Sequence, residues 1–232
     1  MTRLRPARPE AVATALVDLA DLSPFFTLAV GETDGAWRPV TDAYADGLAH
    51  LVADRVTRYG TPEHRIAASV VQLGHAARLW SVVLGCVVAH DIVPDLGDLH
   101  QQVNGPALRL PVARGWYAPE GEDLVQVLHR MVMDEHLAAL AAGLRVKVAP
   151  GLLRGNAGSA LAEAARTLLR ARPALRGPLT HLAGRLLDSA ALRGTGEFTG
   201  PDLTFRRRSC CLYYRVPGGE KCGDCSLDRS RR

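Results

Sequence analysis

Four of the five cysteines in this chain lie close to its C-terminal end, within sixteen residues. Cys210 and Cys211 are adjacent, ten residues follow, and Cys222 and Cys225 then form a Cys-x-x-Cys pair. Four thiolates on one short loop are the ligand set of a [2Fe–2S] cluster, in which each tetrahedral iron takes two of them. The spacing therefore predicts an irregular loop that holds an iron–sulfur cluster, with the rest of the chain as its scaffold.

Two other uses of these cysteines stay open, a structural zinc site and thiol redox chemistry. A zinc site made of four cysteines usually takes them from two C-x₂₋₄-C pairs, whereas Cys210 and Cys211 have no residue between them. A disulfide between those two is disfavoured, because adjacent Cα atoms lie ~3.8 Å apart and an unstrained disulfide spans about 4.4–6.8 Å. The spacing also differs from the common ferredoxin patterns. These comparisons favour an iron–sulfur cluster of an uncommon type.

Residues 206–227, here called the cysteine segment, read RRRSCCLYYRVPGGEKCGDCSL. This segment resembles the C-terminal signature of the FhuF-type ferric-siderophore reductases, cytoplasmic [2Fe–2S] proteins with the motif C-C-x₁₀-C-x₂-C. All four ligand positions match, at Cys210, Cys211, Cys222 and Cys225. The specific part of the resemblance covers about the last tenth of the chain. Residues 153–160 (LRGNAGSA) are similar to the family in a much less specific way.

The resemblance implies an oxidoreductase that passes one electron to siderophore-bound Fe(III), most typically in a hydroxamate chelate, and so releases Fe(II). It implies no catalytic residue beyond the cluster. Because the cluster transfers one electron at a time, the family also implies an external donor such as a ferredoxin or a flavoprotein reductase. The alternatives from other classes are a [2Fe–2S] electron carrier without siderophore specificity and a zinc-stabilised binding module.

Basic residues crowd the cysteine segment, and their charge favours the reduced cluster. With four thiolates the oxidised cluster carries a charge of −2 and the reduced one −3, so nearby cations raise the reduction potential. They would also steer an acidic electron donor to this loop. The alternative for each of them is an ordinary solvated position. The candidates for these roles are Arg206, Arg207, Arg208, Arg215 and Lys221.

Two further candidates come from residues 153–160. Arg154 and Asn156 are possible substrate contacts by the weaker resemblance. For Asn156 we favour a simpler role, because asparagine is a common N-cap residue and a helix is predicted to follow it. The fifth cysteine, Cys86, lies in an apolar run far from the others and is expected to be a small buried hydrophobe.

Composition excludes several other classes of protein. Of 232 residues, 47% are hydrophobic and 22% are charged, as in an ordinary soluble globule. The net charge of +4 is dispersed and no helix carries a basic stripe, which argues against nucleic acid and against an iron–sulfur regulator that binds it. No apolar segment follows the first arginines, so no signal peptide is expected. Residues 79–90 are apolar but too short to span a bilayer, and we expect a cytoplasmic location.

The predicted fold is mainly α, a helical scaffold with a few short β-strands and a C-terminal irregular cysteine-rich loop, with α+β as the alternative. Residues 1–193 are expected to form the scaffold and substrate-docking domain, and residues 194–232 a linker, flexible over 194–201, and the cluster-binding segment. The chain ends soon after Cys225, so one side of the cluster is expected to face solvent.

Helical periodicity, caps and turn residues place the individual elements. Helices are predicted over residues 9–22, 41–59 with Thr41 as N-cap, 61–89, 122–143, 156–171 and 178–192. Strands are predicted over 25–30 and 107–112, with 116–117 as the partner of 107–112, and a short β-prone bridge over 145–149. Residues 61–89 are expected to be the buried central helix, because their second half is apolar on nearly every face.

Overall fold

The computed structural model describes residues 5–118 and 122–227, and for residues 122 and 123 the backbone alone. The helices are α1 (Pro9–Ala20), α2 (Val40–Ala45), α3 (Ala49–Tyr59), α4 (His64–His90), α5 (Glu122–His129), α6 (Ala138–Gly143), α7 (Pro150–Ala171) and α8 (Arg176–Leu187). The strands are β1 (Ala29–Val30), β2 (Trp37–Pro39), β3 (Ile92–Pro94), β4 (His100–Gln102), β5 (Leu108–Leu110), β6 (Gly115–Tyr117), β7 (Gly196–Phe198) and β8 (Phe205–Arg207). The prediction of a mainly helical fold with a few short strands is confirmed. The chain end beyond 227, where solvent exposure was expected, lies outside the described residues.

Helix α4 is the centre of the fold, as predicted. It is 27 residues long and packs against α1, α3, α7 and β3. Trp80, Val83 and Leu84 have no exposed surface, and full burial of such a side chain contributes roughly 1.5–3 kcal/mol. Among the described residues α4 alone is long and apolar enough to cross a membrane, but 72% of its apolar window is buried inside the protein. That burial is consistent with the core helix of a soluble protein.

The helix predicted over residues 41–59 is wrong in one respect, because two helices replace it. Gly47 and Leu48 both have positive φ, 67° and 55°, and they separate α2 from α3. A Cβ at Gly47 would lie 2.5 Å from the carbonyl oxygen of Gly143, so the break lets α2 pack tightly against the end of α6. The predicted cap is also wrong: Thr41 lies inside α2, whose N-cap is Pro39.

The strands form one small sheet and two pairs. The sheet has the order β1-β5-β4-β2, with β1 parallel to β5 and the other neighbours antiparallel. The predicted pairing of residues 116–117 with 107–112 is wrong, because β6 pairs with β3 instead. Strand β3 follows α4 directly and is buried along its length, so it offers β6 an apolar partner beside the core. Residues 145–149 contain no strand.

Residues 122–143 are helical throughout, but their middle part, Arg130–Leu137, is a π-helix between α5 and α6. Its wider turn places His136 beside Tyr44 and His75 in the interior. The Tyr44 hydroxyl lies 2.7 Å from His75 Nε2 and 2.9 Å from His136 Nδ1. Burial lowers the pKa of His75 to about 3 and that of His136 to about 4. Both rings are therefore neutral at pH 7, and the hydroxyl donates to one and accepts from the other.

These two histidines predict acid sensitivity. In the unfolded chain histidine takes up a proton near pH 6.5, whereas the folded protein resists protonation down to about pH 4. The free energy of unfolding is therefore highest above about pH 6.5. It decreases as the pH falls, by about 2 kcal/mol per histidine between pH 7 and pH 5. Urea unfolding followed by circular dichroism at both pH values measures it. His136→Gln should reduce the pH dependence by about half, and the exposed His181→Gln should not.

Strands β7 and β8 form an antiparallel hairpin that leads into the cysteine segment. The stretch 194–201, expected to be a flexible linker, contains β7, which contacts α7 and α8. Phe198 and Phe205 pack ring against ring in the hairpin, 5.7 Å apart, and Leu203 and Phe205 join the main core. The cysteine segment is thus attached to the helical scaffold through packed side chains.

Candidate metal centre

The four clustered cysteines lie on an irregular loop after β8, as predicted. Cys211 and Cys225 are buried, and Cys210 and Cys222 are partly exposed. Leu212 and Gly218 have positive φ, 70° and 71°, on either side of a single 3₁₀ turn. These two positions reverse the chain and return the Cys-x-x-Cys pair to the first pair. As a result the sulfurs of Cys211 and Cys222 lie 3.8 Å apart.

That separation fits two ligands of one metal ion. Two thiolates at about 2.3 Å from a tetrahedral metal lie about 3.8 Å from each other. No three His, Cys, Asp or Glu side chains in the described parts of the chain are placed to hold a single ion. A [2Fe–2S] cluster needs no such group, since each of its irons takes two cysteines. The spacing of Cys211 and Cys222 fits the pair of thiolates that one iron of such a cluster takes.

The thiols interact with each other and with the backbone. The hydrogen bond with Cys222 lowers the pKa of Cys211 to about 6, and the same bond raises the pKa of Cys222. Burial raises the pKa of Cys210, although the Leu212 N–H, which donates to its sulfur over 3.3 Å, opposes this. Backbone N–H groups donating to cluster sulfurs raise the reduction potential.

A buried polar network connects the loop to helices α4 and α7. The Ser69 hydroxyl on α4 donates to the carbonyl oxygen of Cys211 over 2.9 Å. Asn156 on α7 donates its amide to the Ser69 carbonyl at 2.9 Å and to Gln72 Oε1 at 3.0 Å. Its own oxygen accepts a bond from Arg207 Nη2 at 2.5 Å. Every one of these side chains is buried, so the backbone of the loop is fixed to the core.

Arg207 is the unusual member of this network, because its guanidinium is 1% exposed. Its Nε and Nη1 have no hydrogen-bond partner, and no carboxylate in the described residues forms an ion pair with it. Its positive charge favours the thiolate form of both Cys210 and Cys211, although burial still raises the pKa of Cys210 overall. A buried cation normally requires a compensating anion. The cysteine sulfurs lie close to this cation, so a negatively charged cluster bound to them would compensate it.

A comparison with known protein families identifies this segment. The family model described as the FhuF 2Fe-2S C-terminal domain matches residues 207–227. The cysteine segment matches the FhuF 2Fe-2S C-terminal domain. The predicted resemblance is confirmed over these residues, and the domain implies a [2Fe–2S] cluster as the cofactor. No curated protein matches the chain.

The other basic residues of the cysteine segment lie in different environments. Arg208 and Lys221 are exposed, and Arg206 is half-buried on β8. Arg215 forms an ion pair of 2.7 Å with Glu63, next to the start of α4. A surface ion pair of this kind contributes little to stability, and it connects the loop to the residue before the first turn of α4.

The α7 residues with the weaker resemblance pack against the cysteine segment and against the chain that leads into it. A Cβ at Gly155 would collide with the Ser209 hydroxyl, and one at Gly158 with that of Thr195. Arg154 is exposed to solvent. The predicted cap role of Asn156 is wrong, because α7 begins at Pro150 with Ala149 as its N-cap. The Asn156 side chain is fully buried, and in this structure it holds the loop.

The structure contains a cavity that the sequence did not predict, and it adjoins the cysteine segment. It has a volume of about 560 Å³ and lies between α3, α4 and α7. Gly223 and Asp224, between the last two cysteines, form part of its lining. The Ser159 hydroxyl donates to the Asp224 carboxylate, which ties this turn to α7. No motif marks such a cavity, because its lining residues come from distant parts of the chain.

Proposed function

We propose that this chain is a ferric-siderophore reductase, with Cys210, Cys211, Cys222 and Cys225 as the ligands of its [2Fe–2S] cluster. The observation that supports it most strongly is the match of the segment to the FhuF 2Fe-2S C-terminal domain, with two of its sulfurs at the spacing of metal ligands. Residues 1–193 would form the scaffold and docking domain, and residues 194–232 would carry the cluster.

When bound, the cluster supplies one electron at a time to an acceptor. The surrounding residues of the chain supply the charge, the hydrogen bonds and the rigid backbone around the cluster. Arg207 places a buried positive charge beside the sulfurs, and the Leu212 N–H donates toward Cys210. Ser69 and Asn156 prevent the loop from moving as its charge changes, because they fix its backbone to α4 and α7. A fixed environment lowers the reorganisation energy of each electron transfer.

The substrate in this proposal is Fe(III) held by a siderophore, of the hydroxamate type that the resemblance implies. Fe(II) has lower charge and is softer than Fe(III), so hard oxygen ligands release it. A ferredoxin or flavoprotein reductase would restore the electron in the cytoplasm. The exposed Arg208 and Lys221, with Arg206 and Arg215, would guide such a donor. The exposed Arg154 stays a predicted substrate contact.

One observation favours a reductase over a bare electron carrier. A carrier needs only an exposed cluster edge, whereas this chain has a cavity of about 560 Å³ that adjoins the Cys-x-x-Cys turn. Ligand pockets typically have volumes of about 300–1,000 Å³. The cavity thus offers space for a chelate beside the cysteines.

Anaerobic mixing tests the proposal. The purified protein should contain two irons and two acid-labile sulfides per chain and accept one electron. On mixing the reduced protein with a ferric trihydroxamate in the presence of a ferrous-iron trap, we expect reoxidation of the protein and one trapped Fe(II) per electron. A protein that contains zinc and lacks sulfide would refute the proposal. A cluster that passes electrons to a small protein but not to the chelate would indicate an electron carrier.

A further inference from the structure

The lining of the cavity beside the cysteine segment contains more arginines than carboxylates. Four arginines contribute to its lining, and two of them are neutralised. Arg58 forms an ion pair of 2.9 Å with Asp54, and Arg166 forms one of 2.6 Å with Glu163. The third carboxylate of the lining, Asp224, accepts the hydrogen bond from Ser159. The remaining two arginines are Arg55 and Arg78.

Arg55 on α3 and Arg78 on α4 have no ion pair with any carboxylate that the structure describes. Arg55 lies 5.4 Å from the ring centre of Tyr59, and its Nε is buried without a hydrogen-bond partner. Arg78 donates to the carbonyl oxygen of Gly74 at 2.9 Å and lies 5.0 Å from the ring centre of Phe25. Burial and the charge of Arg55 together lower the pKa of Arg78. Both guanidiniums are half-buried and repel each other.

An anion in the cavity would relieve this repulsion. Two neighbouring cations with few hydrogen bonds of their own retain free N–H donors, and guanidinium donors match carboxylate oxygens in geometry. The rest of the lining is largely apolar, with Phe25, Phe26 and Leu73 among its members. A ligand that fits has an aliphatic body and a negatively charged group.

We propose that this cavity is the chelate-binding site and that Arg55 and Arg78 make it prefer ferric chelates with a carboxylate over those with an ammonium group. The inference rests on the proposed function, since it places the substrate of that reaction. It adds the location of the site and the sign of the charge that the ligand carries. Gly223 and Asp224, which lie between Cys222 and Cys225, are part of its lining, so a chelate held there is close to the cysteines.

A matched pair of chelates tests the charge preference without any redox step. Desferrioxamine B is a trihydroxamate with a terminal ammonium group, and N-succinylation replaces that group with a carboxylate while the metal coordination stays the same. The redox-inert Ga(III) complexes of both are titrated into the purified protein by calorimetry. We expect the succinylated complex to bind at least about tenfold more tightly at low ionic strength, and salt to reduce the difference.

Arg55→Gln and Arg78→Gln should each reduce this ratio severalfold. Arg58→Gln is the matched control, because that guanidinium is already paired with Asp54, and its ratio should stay within about twofold of the unmodified protein. Circular dichroism and cluster absorbance verify that each variant is folded. Equal binding of both complexes, binding of neither, or the same loss in the Arg58 variant would overturn the inference.

The Fe(III) complexes then separate the inference from the proposed function. If the arginine-dependent preference holds but the reduced protein gives no Fe(II), the cavity is a binding site and the reductase proposal fails. If both chelates are reduced at the same rate and the arginine variants do not alter that rate, the reductase proposal stands and the chelate binds elsewhere, which refutes the site.

Discussion

Cys211→Ser is expected to abolish the visible colour of the protein and its one-electron reduction while the helical scaffold remains folded. Cys211 is buried, and its sulfur is one of the two at ligand spacing. A serine hydroxyl is a much poorer ligand for iron than a thiolate, and even the loss of an outer partner of a metal ligand costs about 10–100-fold in metal affinity. We therefore expect iron and acid-labile sulfide to fall by more than about tenfold.

The fold should tolerate this change. The bond from Ser69 goes to the backbone carbonyl of Cys211, which serine retains. The main core lies around α4, and the cysteines of the loop are not part of it. Far-ultraviolet circular dichroism should therefore match that of the unmodified protein, while the visible absorbance from sulfide-to-iron charge transfer disappears.

Cys86→Ala is the matched control for this prediction. Cys86 is fully buried in α4, and burial raises the pKa of its thiol to about 12, so it stays neutral. This variant should keep its iron, its sulfide and its colour. Full colour in the Cys211 variant would remove that residue from the ligand set, and equal loss in both variants would mean that the cluster depends on general stability.

The cluster loop was predictable because its chemistry is local in sequence. Four cysteines within sixteen residues allow few uses, and their spacing alone separates iron–sulfur from zinc patterns. The central helix was predictable for a similar reason, since an apolar run without an amphipathic face is typical of a buried helix. In both cases nearby residues contain the whole signal.

The misplaced elements depended on contacts between distant residues. Leu48 continues the apolar spacing of residues 41–59, so periodicity gives no sign of the break before α3, which the close approach of Gly143 requires. Asn156 is a good cap residue by type, but Pro150 starts the helix earlier and leaves Asn156 in its buried middle. Likewise, β6 pairs with β3 because β3 lies against the core.

The run Arg206 to Arg208 shows what a local signal could have added. Phe205 and Arg207 are two residues apart in β8 and both are buried, whereas Arg206 and Arg208 are more exposed. Alternation in a strand places every second side chain on the same face. A buried Phe205 would therefore have identified Arg207 as the arginine that points inward, but only if the strand had been recognised in a segment expected to be irregular.

Arg207→Gln should lower the reduction potential of the cluster by about 100 mV. One-electron reduction adds a negative charge near a guanidinium that is 1% exposed and has no carboxylate partner in the described chain. At an effective dielectric constant near 20, a unit charge about 6 Å away contributes roughly 2–3 kcal/mol, which corresponds to about 100 mV for one electron. Glutamine keeps an amide N–H for the Asn156 oxygen, so the network loses mainly the charge.

Two comparisons show whether the buried position is responsible. Arg208→Gln removes the same charge from an exposed neighbour, where solvent and salt screen it, and should shift the potential by less than about 20 mV. Arg207→Lys keeps the charge and should restore most of the potential. Redox titration followed by visible absorbance measures all three variants, and iron content verifies that each is loaded. Equal shifts at positions 207 and 208 would mean that only the net charge of the loop matters and that the buried position of Arg207 beside Asn156 has no separate effect.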